Sequence, residues 1–297
     1  MLHNDATLFI PPRHYRCIHK TTAMRFVFSF LVFSCFSLCL SAQSTISAEK
    51  IIAQLNAGTD VALTGVTITG DLDFTLLDDR EETQKGGWGS QQQWKYHVRN
   101  SLSFVDCTFE GNVWAYRVEG KGSNWKSEPV HIADFHEDVL FRNCKFEEDV
   151  NFKYTRFHEK ADFPGADFEE AVGFKYTEFN EPADFSGIEV EGDADFKYTK
   201  FDRYVNIAAA TFKEEADFKY TKFPRGVDLS DVVFEDDAVF KYAEFPQGVN
   251  LANTRFRRDA DFKYTKFSSP ANFDGTDFGN DADFKYTSLD GRDFKGR

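Results

Sequence analysis

The sequence predicts an all-β solenoid in which short strands form four faces per coil and successive coils stack along one axis. Phenylalanine supplies 34 of the 297 residues against only 2 methionines, and such a bias is typical of an internal repeat. Small or apolar residues alternate with polar ones around each of these phenylalanines, which is the period-two pattern of a strand with one buried face. One phenylalanine recurs at a constant spacing, each time followed by Lys and Tyr, at Phe152, Phe174, Phe196, Phe218, Phe240, Phe262 and Phe284.

A second apolar set lies halfway between these positions, so the 22-residue unit has two halves. Each of these positions has an apolar partner in the next five-residue step, and most members of both sets and of their partners are phenylalanine. A helix would need a period of 3.6, which a five-residue spacing does not sustain. Each unit therefore divides into four five-residue faces plus two extra residues, and coils stacked about 4.8 Å apart would align the phenylalanines into interior columns. The second set is Phe163, Phe185, Ile207, Leu229, Leu251 and Phe273.

Units such as residues 194–201, with the sequence ADFKYTKF, resemble the pentapeptide-repeat family. The resemblance implies a right-handed quadrilateral parallel β-helix. It is strong over residues 140–289, with fragments at 66–68, 72–74 and 102–104. One extra residue follows every second pentapeptide, so we expect two of the four corners to be enlarged. The motif is specific for the fold and says little about function.

The chain divides into four predicted regions. Ser47 can cap a short helix that places Ile51, Ile52 and Leu55 on one face, with Gly58 beyond its end. Such a helix would cover the open first coil. The regions are 1–42, a leader and signal peptide; 43–58, the N-terminal capping helix; 59–139, first and irregular coils; and 140–297, regular coils.

The leader predicts export. Arg25 precedes an unbroken run of apolar and small residues over positions 26–40, and Ala42 offers a small residue for cleavage before Gln43. Met24 is the more natural start of such a signal. The alternative is an uncleaved membrane anchor, although the run is short for a permanent span. We therefore expect a periplasmic, extracellular or cell-surface protein without stable membrane insertion after cleavage.

The charge balance argues against nucleic-acid partners. The chain carries a formal net charge of −14, and because residues 1–42 are basic, the remainder holds −17. A body this acidic should repel nucleic acid and anionic membrane surfaces.

Two polar segments interrupt the repeat, at residues 78–101 and 111–129. Insertions in repeat proteins map to loops that often form the binding face, so their tryptophans are a candidate binding surface. The alternative is that they pack over the first coils as a lid. They are Trp88, Trp94, Trp114 and Trp125.

Lysine and tyrosine recur beside the phenylalanine repeat and form a predicted surface ladder. Aspartates two positions before many of these lysines favour neutralisation between acid and base rows over ligand binding. Glu178 and Glu244 appear in coils that lack this aspartate. For the tyrosines we expect self-stacking, with a strip for sugar rings as the alternative. The ladder is Lys153, Tyr154, Lys175, Tyr176, Lys197, Tyr198, Lys219, Tyr220, Lys241, Tyr242, Lys263, Tyr264, Lys285 and Tyr286.

Catalytic, metal and cofactor sites are not predicted. The histidines His97, His131, His136 and His158 match no metal-ligand spacing. Cys107 and Cys144 occupy small inward positions, so we expect core thiols.

Beyond the last repeat only residues 290–297 remain, with Phe294 among them and no evident cap. An open final coil is an exposed edge, so we expect a homodimer through the C-terminal coils.

The predicted function is that of an exported, non-enzymatic scaffold that binds an envelope or extracellular protein or glycan. One alternative is a polysaccharide-binding or polysaccharide-active β-helix protein. A second, implied by members of the resembled family, is an acidic DNA mimic that binds a topoisomerase, if the chain is not exported.

Overall fold

Short parallel strands stacked in four columns build the fold of the computed structural model, which describes residues 44–84, 92–120 and 128–296. All of them belong to one structural unit, Ala42–Arg297. Within a regular coil the chain visits the four columns in order, and we call them faces 1 to 4. Strands pair with the equivalent strand one coil away, as Ala161 does with Ala183 and Arg156 with Glu178. The constant offset between paired residues confirms the predicted repeat length; the handedness of the coil stays a prediction.

Face 1 consists of Val61–Thr64, Leu102–Val105, Val139–Arg142, Ala161–Asp162, Ala183–Asp184, Val205–Asn206, Val227–Asp228, Val249–Asn250 and Ala271–Asn272. Face 2 consists of Ser44–Ser47, Val66–Thr69, Thr108–Phe109, Lys145–Phe146, Asp167–Phe168, Glu189–Val190, Thr211–Phe212, Val233–Phe234 and Arg255–Phe256.

Face 3 consists of Leu72–Asp73, Val113–Trp114, Val150–Asn151, Val172–Gly173, Ala194–Asp195, Ala216–Asp217, Ala238–Val239 and Ala260–Asp261. Face 4 consists of Gln92–Val98, Val130–Phe135, Arg156–Phe157, Glu178–Phe179, Lys200–Phe201, Glu244–Phe245, Lys266–Phe267 and Ser288–Leu289, bridged through Lys222.

The interior is a set of stacked phenyl rings. Phe218 lies between Phe196 and Phe240, with ring centroids 4.8 and 5.0 Å away and planes within 7° of parallel. Neighbouring columns meet edge to face, as Phe212 and Phe218 do. Both geometries are favourable for aromatic pairs. The repeated phenylalanines are fully buried up to the last coil, so the predicted interior columns are confirmed.

The first coil carries the predicted helix. It spans Ala48–Asn56 and buries Ile51, Ile52 and Leu55, as expected, although the Ser47 side chain at its N-cap makes no capping hydrogen bond. Phe74–Leu76 forms one turn of 3₁₀-helix in the same coil. The strand Ser44–Ser47 was not predicted and extends face 2 by pairing with Val66–Thr69.

The two insertions are hairpins rather than the expected loops. Arg80–Gln84 pairs antiparallel with Gln92–Val98, and Tyr116–Val118 pairs antiparallel with Val130–Phe135. The second strand of each hairpin is also a parallel strand of face 4. The first insertion forms a strand because alternate side chains in Gln92–Val98 belong to the core: Tyr96 and Val98 are both buried.

The C-terminal end is covered, so the expectation that no cap follows the last repeat was wrong. Arg292–Asp293 turns back against Ser288–Leu289 as an antiparallel strand. This places Phe294 over the last coil, where its ring centroid lies 4.8 Å from that of Phe273. The relative exposure of Phe294 is only 8%. The dimer itself stays a prediction.

Candidate functional site

The tyrosine ladder occupies one corner of every regular coil, between faces 3 and 4, which we call the tyrosine corner. Thr155 N–H donates to Phe152 O at 3.0 Å, closing a four-residue turn with Tyr154 at its third position. Such turns need positive φ at that position, which favours glycine or asparagine. All seven ladder tyrosines nevertheless adopt φ between 59° and 62°. For a bulky residue this is a sterically strained conformation.

The opposite corner, between faces 1 and 2, makes the same turn with different residues. Ala166 N–H donates to Phe163 O at 3.1 Å, and Gly165 takes the positive φ. No tyrosine occupies this position in the regular coils that the structure describes. The residues there are Asn143, Gly165, Gly187, Ala209, Asp231, Asn253 and Gly275.

The tyrosine rings stack on one another along the axis. Successive ring centroids are 4.6 to 4.9 Å apart, and the first six rings lie within 9° of parallel. Because each ring face covers the next, sugar rings cannot stack on the faces along the column, and the expected self-stacking is confirmed. Five of the seven ladder tyrosines, Tyr154, Tyr176, Tyr198, Tyr264 and Tyr286, are exposed residues. Within the described residues, no hydrogen bond reaches a phenol oxygen of the ladder.

The lysines are held in a way that the sequence only partly indicated. The aspartate two positions before a lysine accepts that lysine's backbone N–H, as Asp195 Oδ1 does from Lys197 at 3.0 Å. In three coils the ammonium group reaches the aspartate of the next coil, as Lys197 Nζ reaches Asp217 Oδ2 at 3.4 Å, and Lys263 also lies 3.5 Å from Asp261 in its own coil. Lys219, whose next coil lacks that acid, places its ammonium over Tyr220 at 5.4 Å, and Lys241 lies over Tyr242 at 5.7 Å although Asp261 follows in the next coil. Neutralisation therefore runs between coils.

Glu178 and Glu244 have partners on face 4. Glu178 Oε2 accepts from Arg156 Nε at 2.7 Å. Glu244 lies 3.1 Å from both Lys222 Nζ and Lys266 Nζ. Partial burial opposes ionisation of Glu244, but the two lysines outweigh it and lower its pKa. These glutamates neutralise neighbouring coils rather than the ladder lysines.

A groove of about 590 Å³ runs between the tyrosine column and face 4. Five tyrosines form one wall: Tyr198, Tyr220, Tyr242, Tyr264 and Tyr286. The other wall is formed by Lys222, Glu244, Lys266 and Ser288. We call this the tyrosine groove.

Charge is segregated around the coils. The segments that run from a ladder lysine through face 4 to the following corner carry a net charge of +8, and we call them the basic sector. The intervening segments, which hold faces 1 to 3, carry −19 and form the acidic sector. The basic sector comprises residues 153–160, 175–182, 197–204, 219–226, 241–248 and 263–270; the acidic sector comprises 161–174, 183–196, 205–218, 227–240, 249–262 and 271–284.

The two described tryptophans, Trp94 and Trp114, lie on different faces. Trp94 lies in the face 4 strand, packs partly buried against the core and has the Arg80 guanidinium 5.0 Å above its ring, which favours the lid interpretation for this residue. Trp114 lies in a face 3 strand and lines a groove of about 380 Å³ together with Tyr116 and Arg117. Trp88 and Trp125 lie outside the described residues.

Tyr116 connects the Trp114 groove with the ladder. Its ring centroid lies 5.7 Å from that of Tyr154, and Lys153 Nζ lies 4.9 Å above it. Trp114 and the tyrosine column thus belong to one continuous aromatic surface, which the sequence did not reveal because Tyr116 precedes the regular repeat.

Three histidines meet although their sequence spacing gave no signal. His97 Nδ1 and His136 Nε2 are 2.9 Å apart, and the rings of His136 and His158 stack at 4.5 Å. Burial, followed by the charge of His158, lowers the pKa of His136. Among the described residues, no group of three or more histidine, cysteine or acidic side chains is arranged to hold a metal ion.

Cys107 and Cys144 are buried core thiols, as predicted. They lie on adjacent coils, since Thr108 and Lys145 are paired. Both thiols donate to backbone carbonyl oxygens, Cys107 Sγ to Val105 O at 3.3 Å and Cys144 Sγ to Phe104 O at 3.4 Å. The neighbouring Cys107, and then burial, raises the pKa of Cys144. Both are shielded from solvent, so neither is placed to attack a substrate.

Comparison with known proteins gives one match. The family model described as pentapeptide repeats (9 copies) matches residues 133–177, 174–222, 218–266 and 251–296, which together span more than half of the chain. No curated protein and no solved structure matches the chain.

Proposed function

The chain belongs to the pentapeptide-repeat family, and from that premise we propose that it is an exported, non-enzymatic scaffold. One long side of a rigid rod, the basic sector with its aromatic surface, would face another component of the envelope or extracellular space. Proteins of this family are generally structural repeat proteins. The observation that carries the proposal is the tyrosine column, which is repeated in seven coils despite a strained backbone. Strain of this kind concentrates at functional sites.

Rigidity supports this role. Regular coils are hydrogen-bonded to one another through the backbone, as when Phe196 N–H donates to Asp217 O at 2.9 Å. Stacked phenyl rings fix the interior. A surface held in this way loses little conformational entropy on binding.

Export is supported by the leader alone. Its apolar run and Ala42 lie outside the described residues. In the part of the chain that the structure describes, no helix is long and apolar enough to cross a membrane.

The alternatives receive less support. A sugar-cleaving enzyme needs a pair of carboxyl groups in a cleft, whereas Glu244 is the one carboxylate among the described residues that line the tyrosine groove, and it is paired with Lys222 and Lys266. A DNA mimic needs a uniformly negative surface, and the basic sector interrupts it. A dimer through the C-terminal coils would have to pack against the end that Phe294 covers.

Two measurements test the proposal. Expression of the full chain should yield an exported product that begins at Gln43; full-length protein confined to the cytoplasm would contradict export. Capture of envelope components should fall for the triple variant Tyr220→Phe, Tyr242→Phe, Tyr264→Phe and for Trp114→Ala, but not for Lys213→Gln, which alters a lysine of the acidic sector that pairs with Glu189. Equal capture by all variants would show that the aromatic surface is not the recognition site.

A further inference from the structure

Two cysteines lie one above the other in the interior of the first coils. Thr108 and Lys145 are paired across adjacent coils, so the residues that precede them, Cys107 and Cys144, occupy equivalent positions. Both side chains belong to the core, with relative exposures of 1% and 0%. Adjacent strands are about 4.8 Å apart, and the Cα atoms of a disulfide are separated by about 4.4 to 6.8 Å. The backbone therefore holds the two residues at a distance that a disulfide can bridge.

The Cys144 thiol is directed towards the coil of Cys107. Its Sγ donates to Phe104 O at 3.4 Å, and Phe104 lies three positions before Cys107 in the preceding coil. The same orientation recurs at the equivalent position of a later coil, where Thr254 Oγ1 donates to Leu229 O at 2.6 Å. Cys107 is also the group that contributes most to the raised pKa of Cys144, ahead of burial. The two thiols are therefore neighbours in the core.

Packing alone does not require cysteine at this position. In later coils the equivalent residues contain no sulfur and are also buried; they are Ala166, Ile188, Ala210, Val232 and Thr254. Beyond the predicted leader the chain has only two cysteines, and they lie on consecutive coils. This placement is that of a pair rather than of scattered small core residues.

The pair encloses the second insertion. Thr108 and Lys145 are 37 positions apart, whereas paired residues of the regular coils are 22 apart. The intervening chain contains Trp114 and the hairpin of Tyr116–Val118 with Val130–Phe135. A disulfide stabilises a protein mainly by restricting its unfolded chain, and the effect grows with the length of the closed loop. A covalent link here would therefore restrict the unfolded chain more than one between two regular coils.

We propose that Cys107 and Cys144 form an internal disulfide when the chain folds in an oxidising compartment. The inference rests on the export assigned under the proposed function, because disulfides persist in periplasmic and extracellular proteins and are rare in the cytosol. It goes beyond that function by assigning a covalent modification, which fixes the coils that carry Trp114.

The bond forms by exchange with another disulfide, that of a dithiol oxidoreductase or of oxidised glutathione. One cysteine attacks the oxidant's disulfide as a thiolate, so that S–S bond breaks and a mixed disulfide forms. The second cysteine thiolate then attacks the sulfur of the first and displaces the oxidant's other sulfur. The two cysteines are oxidised, and the oxidant is reduced to two thiols that take up the two released protons. Because the folded core shields both cysteines, the exchange takes place before the coils close.

Peptide mapping tests the bond directly. Protein expressed from the full chain is denatured, its free thiols are alkylated, and it is digested without reductant. We expect a cross-linked peptide pair that contains Cys107 and Cys144 and separates on reduction, with neither cysteine alkylated. Alkylation of both cysteines in protein that begins at Gln43 would overturn the proposal.

Thermal melting tests whether the bond stabilises these coils. Reductant should lower the melting temperature of the oxidised protein by about 5 °C or more. The double variant Cys107→Ala, Cys144→Ala is the matched control, since alanine occupies the same buried position at Ala166 and Ala210, and its melting temperature should not respond to reductant. A response of the same size in the double variant, or none in the oxidised protein, would overturn the proposal that the bond fixes these coils.

Refolding separates this inference from the proposed export. Reduced and denatured protein is refolded in a mixture of oxidised and reduced glutathione, where the bond between positions 107 and 144 should form wherever the cell places the chain. If the chain stays in the cytoplasm but the bond forms on refolding, export is wrong and the inference stands. If the chain is exported but the bond is absent from both the exported and the refolded protein, the inference is wrong and export stands.

Discussion

Each regular coil makes the same tight turn at two corners, and the residues chosen there differ. The opposite corner uses glycine, alanine, aspartate or asparagine, whereas the tyrosine corner uses tyrosine in all seven coils. A residue with a β-carbon loses about 1–2 kcal/mol in this conformation, which glycine avoids. The turn therefore does not explain the tyrosines. They are kept for what their side chains do, first by stacking and, as we propose, by binding.

The interiors beside the two corners differ as well. The columns on both sides of the tyrosine corner are phenylalanine throughout the central coils, for example Phe218 and Phe223. The column before the opposite corner changes to Ile207, Leu229 and Leu251. The core beneath the basic sector is therefore more uniformly aromatic than the core at the opposite corner.

Core truncation should have the largest effect and should be greater on the tyrosine side. Phe218→Ala removes a buried ring between two parallel neighbours, and we expect a loss of about 4 kcal/mol. Leu229→Ala, in the column before the opposite corner, should cost about 3 kcal/mol. Chemical denaturation of both variants tests the ranking. A larger loss for Leu229→Ala would contradict the idea that ring stacking strengthens the tyrosine side.

Asparagine substitutions at the two corners should change the stability of the protein in opposite directions. Tyr220→Asn relieves backbone strain but removes stacking on Tyr198 and Tyr242, at 4.6 and 4.8 Å; we expect a net loss of about 1 kcal/mol. Ala209→Asn relieves strain without losing a stack, so it should stabilise by about 0.5 kcal/mol. Thermal melts of the two variants measure the signs. If Tyr220→Asn were the stabilising change, stacking would not offset the strain.

The threonine that follows six of the seven ladder tyrosines provides an internal control. Thr221 Oγ1 donates to Phe196 O at 2.7 Å in the preceding coil, so Thr221→Val should cost about 1 kcal/mol. The buried hydroxyl of Thr155 has no hydrogen-bond partner, and Thr155→Val should be neutral or stabilising. Equal losses in the two variants would show that the hydroxyl bond is not the cause.

The smallest expected effect is a loss of folding stability at alkaline pH. It comes from the tyrosine corner, because the opposite corner has no phenol groups in the coils that the structure describes. Burial, and then the neighbouring Tyr176, raises the pKa of Tyr154 above its ordinary value. The unfolded chain releases the phenol proton at lower pH than the folded chain, so stability falls as pH rises past about 10. Ultraviolet titration of native and denatured protein measures the shift. A lower phenol pKa in the native Tyr154 than in the denatured chain would contradict this prediction.

Local alternation made much of the fold predictable. The position of each phenylalanine fixed the strands and their register from coil to coil, and the apolar spacing of the first helix predicted the burial of Ile51 and Leu55. Interactions between coils were harder to predict. The link from Lys197 to Asp217, and the meeting of His97 with His136 across an insertion, depend on which residues stacking brings together and not on neighbours along the chain.

The sequence predicted only part of the candidate site. The tyrosine repeat identified the column, but the sequence did not reveal its positive φ, because the pattern that marks such a turn is glycine or asparagine. The role of Trp94 was also not identified from the sequence. This residue occupies the same side of the strand Gln92–Val98 as Tyr96 and Val98, so it belongs to a strand that packs on the core.

Photo-crosslinking in living cells tests the central claim most directly. A photoactivatable residue at Tyr242 is compared with one at Asn253, the equivalent position of the opposite corner in the same repeat. We predict a defined crosslinked envelope or extracellular component from position 242 and none from position 253. Equal crosslinking from both positions, or crosslinking from position 253 alone, would contradict the claim that the tyrosine corner is the recognition surface.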